Sequence, residues 1–529
     1  MTEQGGEPGN YVVRALELFA DHGDREAIVA VDDDIRLTYA DARTAVLSWA
    51  MTLRDQGIRK GAGVAMLVKN KPEAVFLQLA LHLLGCRTVW IATYAPYRDQ
   101  ADFVRLANAE VLVYHTETKR GGRLVESLSQ QEKPIMMFSL GPDDKGTDLL
   151  AAQRSRAPAH QGAAAQLAEL AGPEPESLFY TGGTTGQPKL VHHRREFFEV
   201  LHAIAAFYLA MGEPPMRFLS GSGFTHVSGQ MPALLTLFEG GTLFLTERFD
   251  PAEFLATIEK ERISSSFLTP ALLYKVLDHP AMSAADTSSM RYLNVGGAAA
   301  SPTRLAEAIT KFGPVLRLVY GLSEVPLITD LPFLDHDPEH PERLSSCGKP
   351  FADIRIEIRD EKGNSLPVGH DGEVWIAGSL NMAGYWQQPD LTDTTIVDGW
   401  VRTGDVGHLD ADGYLYLVDR VSDMIVTTSA ALNIYARPIE DALVTHPQVR
   451  AAAVIGVPDD VFGEVAHAFV VATPGAGVTA EQLRDMVRAK LNDLYTPRGI
   501  EFVDALPITP IGKVDKKALR KQYATGAPG

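Results

Sequence analysis

Cysteine is scarce in this chain. Among 529 residues only Cys86 and Cys347 occur, too few for a disulfide framework. That excludes a small secreted scaffold and points to a reducing compartment, with cytoplasmic localisation expected. Basic charge is in deficit too: 67 Asp and Glu face 49 Lys and Arg, a net charge of -18. Nucleic acids and anionic membrane surfaces need a basic face, so neither is an expected partner. Long apolar runs are missing, each being interrupted well short of the roughly 18 residues of a membrane span. The opening Met1-Thr2-Glu3-Gln4-Gly5-Gly6-Glu7 has neither the basic nor the apolar region of a secretory signal. No tandem repeats occur. What remains is an ordinary globular composition, 45% hydrophobic and 22% charged, in a chain long enough for a sizeable core and several domains.

Short apolar runs alternate with amphipathic ones over roughly the first 420 residues. The run 64–68 reads as a buried strand. Asn70 offers an N-cap, Pro72 sits in a first helical turn, and Val75, Leu79 and Leu83 form an apolar face before Gly85 and a second strand at 88–92. The rhythm returns at 242–246, 265–269 and 292–295. It implies parallel sheet with helices on both faces. Near residue 350 the pattern changes to alternation (Ile354, Ile356, Ile358), a Gly363-Asn364 turn and a strand from Gly372, which are antiparallel signals for a small barrel-like part. Beyond Asp423 lies a compact α+β pattern: strands at 453–457 and 466–471, a Thr479/Gln482 capping box, and a stripe of Leu483, Met486, Val487, Leu491 and Leu494. The Ala163-Ala164-Ala165 stretch reads as a surface helix. The expected fold is α/β: a large N-terminal body of stacked βαβ sheets with a small β-barrel-like part, residues 1–421, followed by a small mobile α+β domain, residues 422–529.

Chemistry concentrates in Tyr180-Thr181-Gly182-Gly183-Thr184-Thr185-Gly186-Gln187-Pro188-Lys189. Glycines let successive N–H groups converge, threonines add hydroxyls and Lys189 adds a point charge, which together make a phosphate-gripping loop. It is not the Walker A pattern, since Pro188 precedes Lys189 and Leu190 follows it. Further motifs are spread widely. Tyr320-Gly321-Leu322-Ser323-Glu324 pairs a base-stacking aromatic with a carboxylate fit for Mg²⁺. Thr403-Gly404-Asp405 sets a carboxylate after a tight turn, where it can accept from a ribose diol. Arg420 stands near the domain junction, and Gly512-Lys513 near the C-terminus. Taken singly, each is as well explained by a strand end, a turn or a solvated surface residue.

Taken in this order, the set resembles the ANL superfamily: acyl- and aryl-CoA synthetases, peptide-synthetase adenylation domains and luciferases. The resemblance runs from Thr38-Tyr39 to Lys513. It implies that a carboxylate attacks the α-phosphorus of ATP to give an acyl-adenylate and pyrophosphate, and that a thiol then displaces AMP. ATP, Mg²⁺ and CoA follow as cofactors and co-substrate, and a small-molecule carboxylic acid as substrate. By resemblance, Thr181, Gly182, Gly183, Thr184, Thr185, Gly186 and Lys189 hold the phosphates, and Glu324 holds Mg²⁺. Asp405 and Arg420 bind the ribose. Tyr320, Gly321 and Ser323 lie at the adenine, with Gly297 and Ala298 lining the base and acyl cleft. Lys513 bridges the carboxylate and the α-phosphate, a movable cation placed where charge develops. In Phe224-Thr225-His226-Val227-Ser228-Gly229, His226 gates the acyl pocket. No Asp occurs between Ser220 and Leu234 to pair an α-ammonium, which favours an acid lacking an α-amine. Met231, Leu234 and Leu235 fit an apolar acid or plain core packing.

The chain departs from the family pattern at the junction, where Asp419 replaces a Gly and Ser422 holds the hinge position. The hairpin that lines the pantetheine tunnel in CoA-forming relatives reads Val426-Thr427-Thr428-Ser429-Ala430-Ala431-Leu432, without glycine. Methyl groups crowd a place where close backbone approach is wanted. Two further readings stay open: adenylation with a weak or absent thioester step or transfer to a carrier-protein pantetheine arm, and a nucleotide-binding protein without catalysis.

Overall fold

The computed structural model describes residues 10–93, 97–118, 121–130, 134–155, 167, 169–172, 174–182, 188–336, 341–426, 433–459, 463–473, 475–508 and 514–525. Two compact units emerge. The first comprises Met1–His336, Phe351–Ile354 and Ala377–Val401, and the second Asp337–Pro350, Arg355–Ile376 and Arg402–Gly529. The second unit thus gathers, along with residues 422–529, part of the segment expected in the N-terminal body. The Ala163-Ala164-Ala165 stretch lies outside the described residues.

The first unit is built on two sheets. In one, strands run in the order Thr329–Leu331, Leu316–Tyr320, Tyr292–Gly296, Ser265–Leu268, Arg217–Ser220, Thr242–Leu245, Glu26–Ala30 and Ile35–Thr38. The neighbours from Leu316–Tyr320 through Glu26–Ala30 are parallel, and the two outer strands antiparallel. The other sheet orders Gly384–Tyr385, Pro188–His193, Glu176–Gly182, Arg87–Trp90, Gly63–Leu67, Val111–His115, Met136–Leu140 and Thr147–Asp148. It is parallel except at Pro188–His193, which runs antiparallel to both neighbours. The strand Gly63–Leu67 is buried at every position, as the apolar run predicts for a sheet covered on both faces. The expected loops therefore leave the carboxyl ends of strands, the place where open α/β sheets bind ligands.

The expectation for Asn70 fails in an informative way. Lys71, not Asn70, is the N-cap of the helix Pro72–Leu83, and it makes no side-chain cap bond. Pro72 supplies a preset φ and no N–H, so the first turn has one donor fewer to satisfy. The Asn70 amide is used elsewhere, on Thr246 and Phe224.

In the second unit, Leu415–Arg420 pairs antiparallel with Trp400–Leu409. The strand Val449–Asp459 pairs antiparallel with Gly463–Ala472, which is parallel to Gly499–Phe502. Apolar residues cover both faces. Val454 packs with Ile439, Leu443, Leu483 and Val487, whereas Ala453, Ile455 and Val457 pack with Phe469 and Leu519. The capping box of Thr479 and Gln482 opens the helix Ala480–Lys490. The helix ends at Lys490, so Leu491 and Leu494 of the expected stripe fall outside it and stand exposed. Asp419 acquires a structural role: its carboxylate accepts the backbone N–H groups of Ala436 and Arg437, the start of the helix Ala436–Val444, whose own N-cap Tyr435 offers no side-chain acceptor. An anion there also meets the positive end of the helix dipole.

Burial pushes several histidines of the first unit well down: His82 to about 3, and His115, His193 and His202 each to about 4. In the unfolded chain an imidazole takes up its proton near pH ~6.5. The stability these neutral rings contribute is therefore present above that pH and is lost as pH falls from about 6.5 toward about 4. The midpoint of thermal unfolding is expected to drop across that interval. His202→Gln keeps a donor toward the Tyr11 carbonyl but cannot be protonated, and calorimetry should show a shallower drop for it. An unchanged slope would contradict this assignment.

Candidate functional site

The Gly/Thr segment starts and ends on a hairpin. Thr181 faces Lys189, and Gly182 faces Pro188, across the antiparallel pair Glu176–Gly182 and Pro188–His193. The expected phosphate-loop residues Gly183, Thr184, Thr185 and Gly186 lie outside the described residues, as does Lys513. The flanks of Lys513 are described: Ile508 and Val514 form an isolated antiparallel bridge.

The segment 320–324 leaves the end of the strand Leu316–Tyr320. A Cβ on Gly321 would stand 2.2 Å from the Pro326 carbonyl oxygen, so the tight turn admits only glycine. The Ile328 N–H donates to the Tyr320 carbonyl at 2.8 Å, and the Leu322 N–H to that of Val325 at 2.9 Å. His193, kept neutral by burial, donates its Nε2–H to the Ser323 carbonyl at 2.7 Å. The Met382 N–H donates to the Glu324 carbonyl at 2.8 Å. The peptide around Glu324 is thus fixed by its own turn and from two segments distant in sequence, at His193 and Met382.

Its side chain is fixed as well. The buried Tyr385 donates its phenol proton to Glu324 Oε1 at 2.7 Å. Burial first, and then the Glu324 charge and hydrogen bond, hold that phenol protonated far above its ordinary range. Lys189 Nζ lies 5.2 Å from the centroid of the same ring, within cation–π reach. Lys189 and Glu324, expected to meet polyphosphate and metal, are therefore joined through one tyrosine. Sequence reasoning missed Tyr385. Its signal was the Gly384-Tyr385-Trp386 run, in which Gly384 has φ +139 and Tyr385 pairs with Val191.

Gly297 and Ala298 follow the strand Tyr292–Gly296 and are exposed, with Gly297 at φ +81. His226 is the N-cap of the helix Val227–Phe238. Its carbonyl accepts the N–H groups of Gly229 and Gln230 at 3.0 and 2.9 Å. Met231 and Leu234 are buried, which core packing accounts for.

In the second unit Asp405 and Arg420 are register partners, and Arg420 Nε stands 3.0 Å from Asp405 Oδ1. Asp405 is buried and its N–H donates to Thr403 Oγ1 at 3.0 Å. A carboxylate beside a guanidinium supplies both acceptor and donor to a vicinal diol. Among the described residues no three His, Cys, Asp or Glu side chains cluster as a metal cage. A single hard carboxylate such as Glu324 still fits Mg²⁺, which characteristically takes one or two carboxylates and completes its shell with phosphate oxygens and water.

Comparison with known proteins places these features in a family. Residues 17–386 match the AMP-binding enzyme model and residues 438–513 the AMP-binding enzyme C-terminal domain. The medium/long-chain-fatty-acid–CoA ligase FadD8 of Mycobacterium tuberculosis is 34% identical over 93% of this chain and 87% of its own. A feruloyl-CoA synthase of an Amycolatopsis species is 31% identical over 92% and 94%. The solved structure of the amide bond synthetase McbA from Marinactinospora thermotolerans superposes with a TM-score of 0.84 at 36% identity, covering 97% of this chain and 100% of that one. The chain belongs to the AMP-binding enzyme family, the ANL superfamily of adenylate-forming acyl-CoA synthetases.

Tyr385→Phe keeps the packing and removes the phenol proton. Losing a hydrogen bond to a charged acceptor of about 1.5–3 kcal/mol, it should lower the unfolding midpoint by roughly a few degrees and raise KM for Mg·ATP about tenfold, with KM for the acid unmoved. A parallel rise in both KM values would make Tyr385 a general structural residue.

Proposed function

We propose that this enzyme condenses a carboxylic acid lacking an α-amine with ATP, releasing pyrophosphate, and passes the acyl group from the adenylate to the thiol of CoA. The observation that carries the reading is the Lys189–Tyr385–Glu324 assembly at the strand ends, beside the hairpin that bears Thr181. Adenylation consists of one in-line displacement. A carboxylate oxygen bonds to the α-phosphorus, and the bond to the bridging oxygen of pyrophosphate breaks. Such a step needs alignment and charge neutralisation more than covalent help.

The roles divide by charge. Lys189, with the backbone of 181–186, would grip the β- and γ-phosphates. Glu324 would hold a divalent cation which, when bound, neutralises charge on the phosphate oxygens. Asp405 and Arg420 would hold the ribose hydroxyls, and Tyr320, Gly321, Ser323, Gly297 and Ala298 would border the base. Lys513 would bring the last positive charge to the reacting carboxylate and α-phosphate. Turnover would then involve movement of the segment after residue 421. His226, at the start of Val227–Phe238, would border the acid. Medium-chain fatty acids and ferulate head the panel, since the fatty-acid and feruloyl ligases are the relatives above.

A second reading concerns the acceptor. The segment 426–432 has no glycine, and the chain is 36% identical to the amide bond synthetase McbA. Both observations favour an amine in place of CoA. The amine nitrogen would bond to the acyl carbon, the acyl–phosphate C–O bond would break, AMP would leave, and the nitrogen would give its proton to solvent.

Acid-dependent exchange of labelled pyrophosphate into ATP tests the first step. No exchange with any acid of a broad panel would end the proposal. CoA and simple primary amines supplied separately then test the acceptor. Thioester formation as fast as pyrophosphate release supports the first reading, and amide formation without thioester the second. Lys513→Ala is expected to lower single-turnover adenylate formation by at least about a hundredfold while ATP still binds. An unchanged single-turnover rate refutes the role given to Lys513.

A further inference from the structure

The segment 221–226 is held by a polar device that the expected chemistry does not use. Phe224 is buried, with its ring edge-on to Trp90 at 5.4 Å. Both polar groups of its backbone are taken by side-chain amides. The Phe224 N–H donates to Asn70 Oδ1 at 3.3 Å, and the Phe224 carbonyl accepts from Gln230 Nε2 at 3.4 Å. Each amide is itself held. Asn70 Nδ2 donates to the Thr246 carbonyl at 3.0 Å, while its neighbours Lys69 and Lys71 reach Glu247 at 3.0 and 2.8 Å. Gln230 Oε1 accepts from Gln78 Nε2 at 2.8 Å, and both glutamines are buried.

The helix that carries Gln230 presses on the same segment. A Cβ on Gly229 would stand 2.4 Å from the Gly223 carbonyl oxygen, so the close approach needs glycine. The Gly223 carbonyl in turn accepts the His226 N–H at 3.2 Å. Buried amides are costly unless bonded, and a bonded pair fixes one arrangement of the chain around it. Core packing alone would be served by apolar side chains at 78 and 230. Amides aimed at the backbone of one loop residue serve to set that loop.

We propose that Asn70 and Gln230 are positioning residues for the carboxylic acid. They clamp the Phe224 backbone from both sides and thereby set where His226 stands, so that they govern selection of the acid and not of ATP. The proposal rests on the reading that 224–226 borders the acid.

Amide hydrogen exchange across 221–226 reads the clamp without any substrate. Asn70→Ala and Gln230→Met should each speed exchange there, and Asn70→Asp, which retains the acceptor toward Phe224, should restore protection. Unchanged exchange in the first two variants overturns the proposal. With octanoate and ferulate in the pyrophosphate exchange assay, Asn70→Ala and Gln230→Met should raise KM for the acid about tenfold and leave KM for ATP within about twofold. Equal rises in both, or a fall in kcat alone without rescue by Asn70→Asp, overturn it. His226→Ala separates the two layers. If it leaves acid KM unmoved, the acid reading of 224–226 fails. If it raises acid KM while the clamp variants do not, the clamp fails and the acid reading stands.

Discussion

A single phenol proton, given by Tyr385 to Glu324, organises the first unit's share of the site. The ring beneath it meets the Lys189 ammonium. A cation and an anion proposed for the two sides of a polyphosphate would collapse onto each other if placed in direct contact. An aromatic spacer keeps them apart while orienting both. The buried hydroxyl gives its proton to that carboxylate, so the strand Gly384–Tyr385, the hairpin and the turn after Tyr320 have to agree in position.

Much of this was legible in the sequence, for identifiable reasons. Continuous apolar runs such as 64–68 mark strands covered on both faces. The glycine and hydroxyl residues that follow such runs read as a ligand-gripping loop from residue type alone. Asp405 and Arg420 were brought together by the family resemblance, which did not show that they are register partners on adjacent strands. Tyr385 was not legible, since its partner lies 61 positions away and the pairing exists only once Pro188–His193 has been flanked by Gly384–Tyr385. Asn70 misled because a good capping residue beside Pro72 looks like a cap, whereas two backbone groups far along the chain compete for its amide and win. Leu491 and Leu494 misled because apolar spacing continues past the point where the helix stops.

The candidate residues of the two units are held by different means. In the first unit the candidate site rests on parallel strands whose loops are pinned by side chains: the buried His193 on Ser323, and the half-buried Asn70 and buried Gln230 on Phe224. In the second unit it rests on an antiparallel ladder that places Arg420 against Asp405 directly. The first kind of support needs several partners to agree. The second follows from register, and a one-residue slip of either strand would turn that strand's side chain to the opposite face.

The carboxylate of Asp419 ties the end of one strand to the start of the helix Ala436–Val444. Were the backbone to pivot at the 421/422 junction, both of these bonds would stretch together, because one side chain makes them. A joint latched in this way does not drift by degrees. On the reading that 421/422 is a hinge, it would stay seated until the latch opens and then travel to wherever the freed helix end finds new acceptors, giving two discrete stations in place of a continuum.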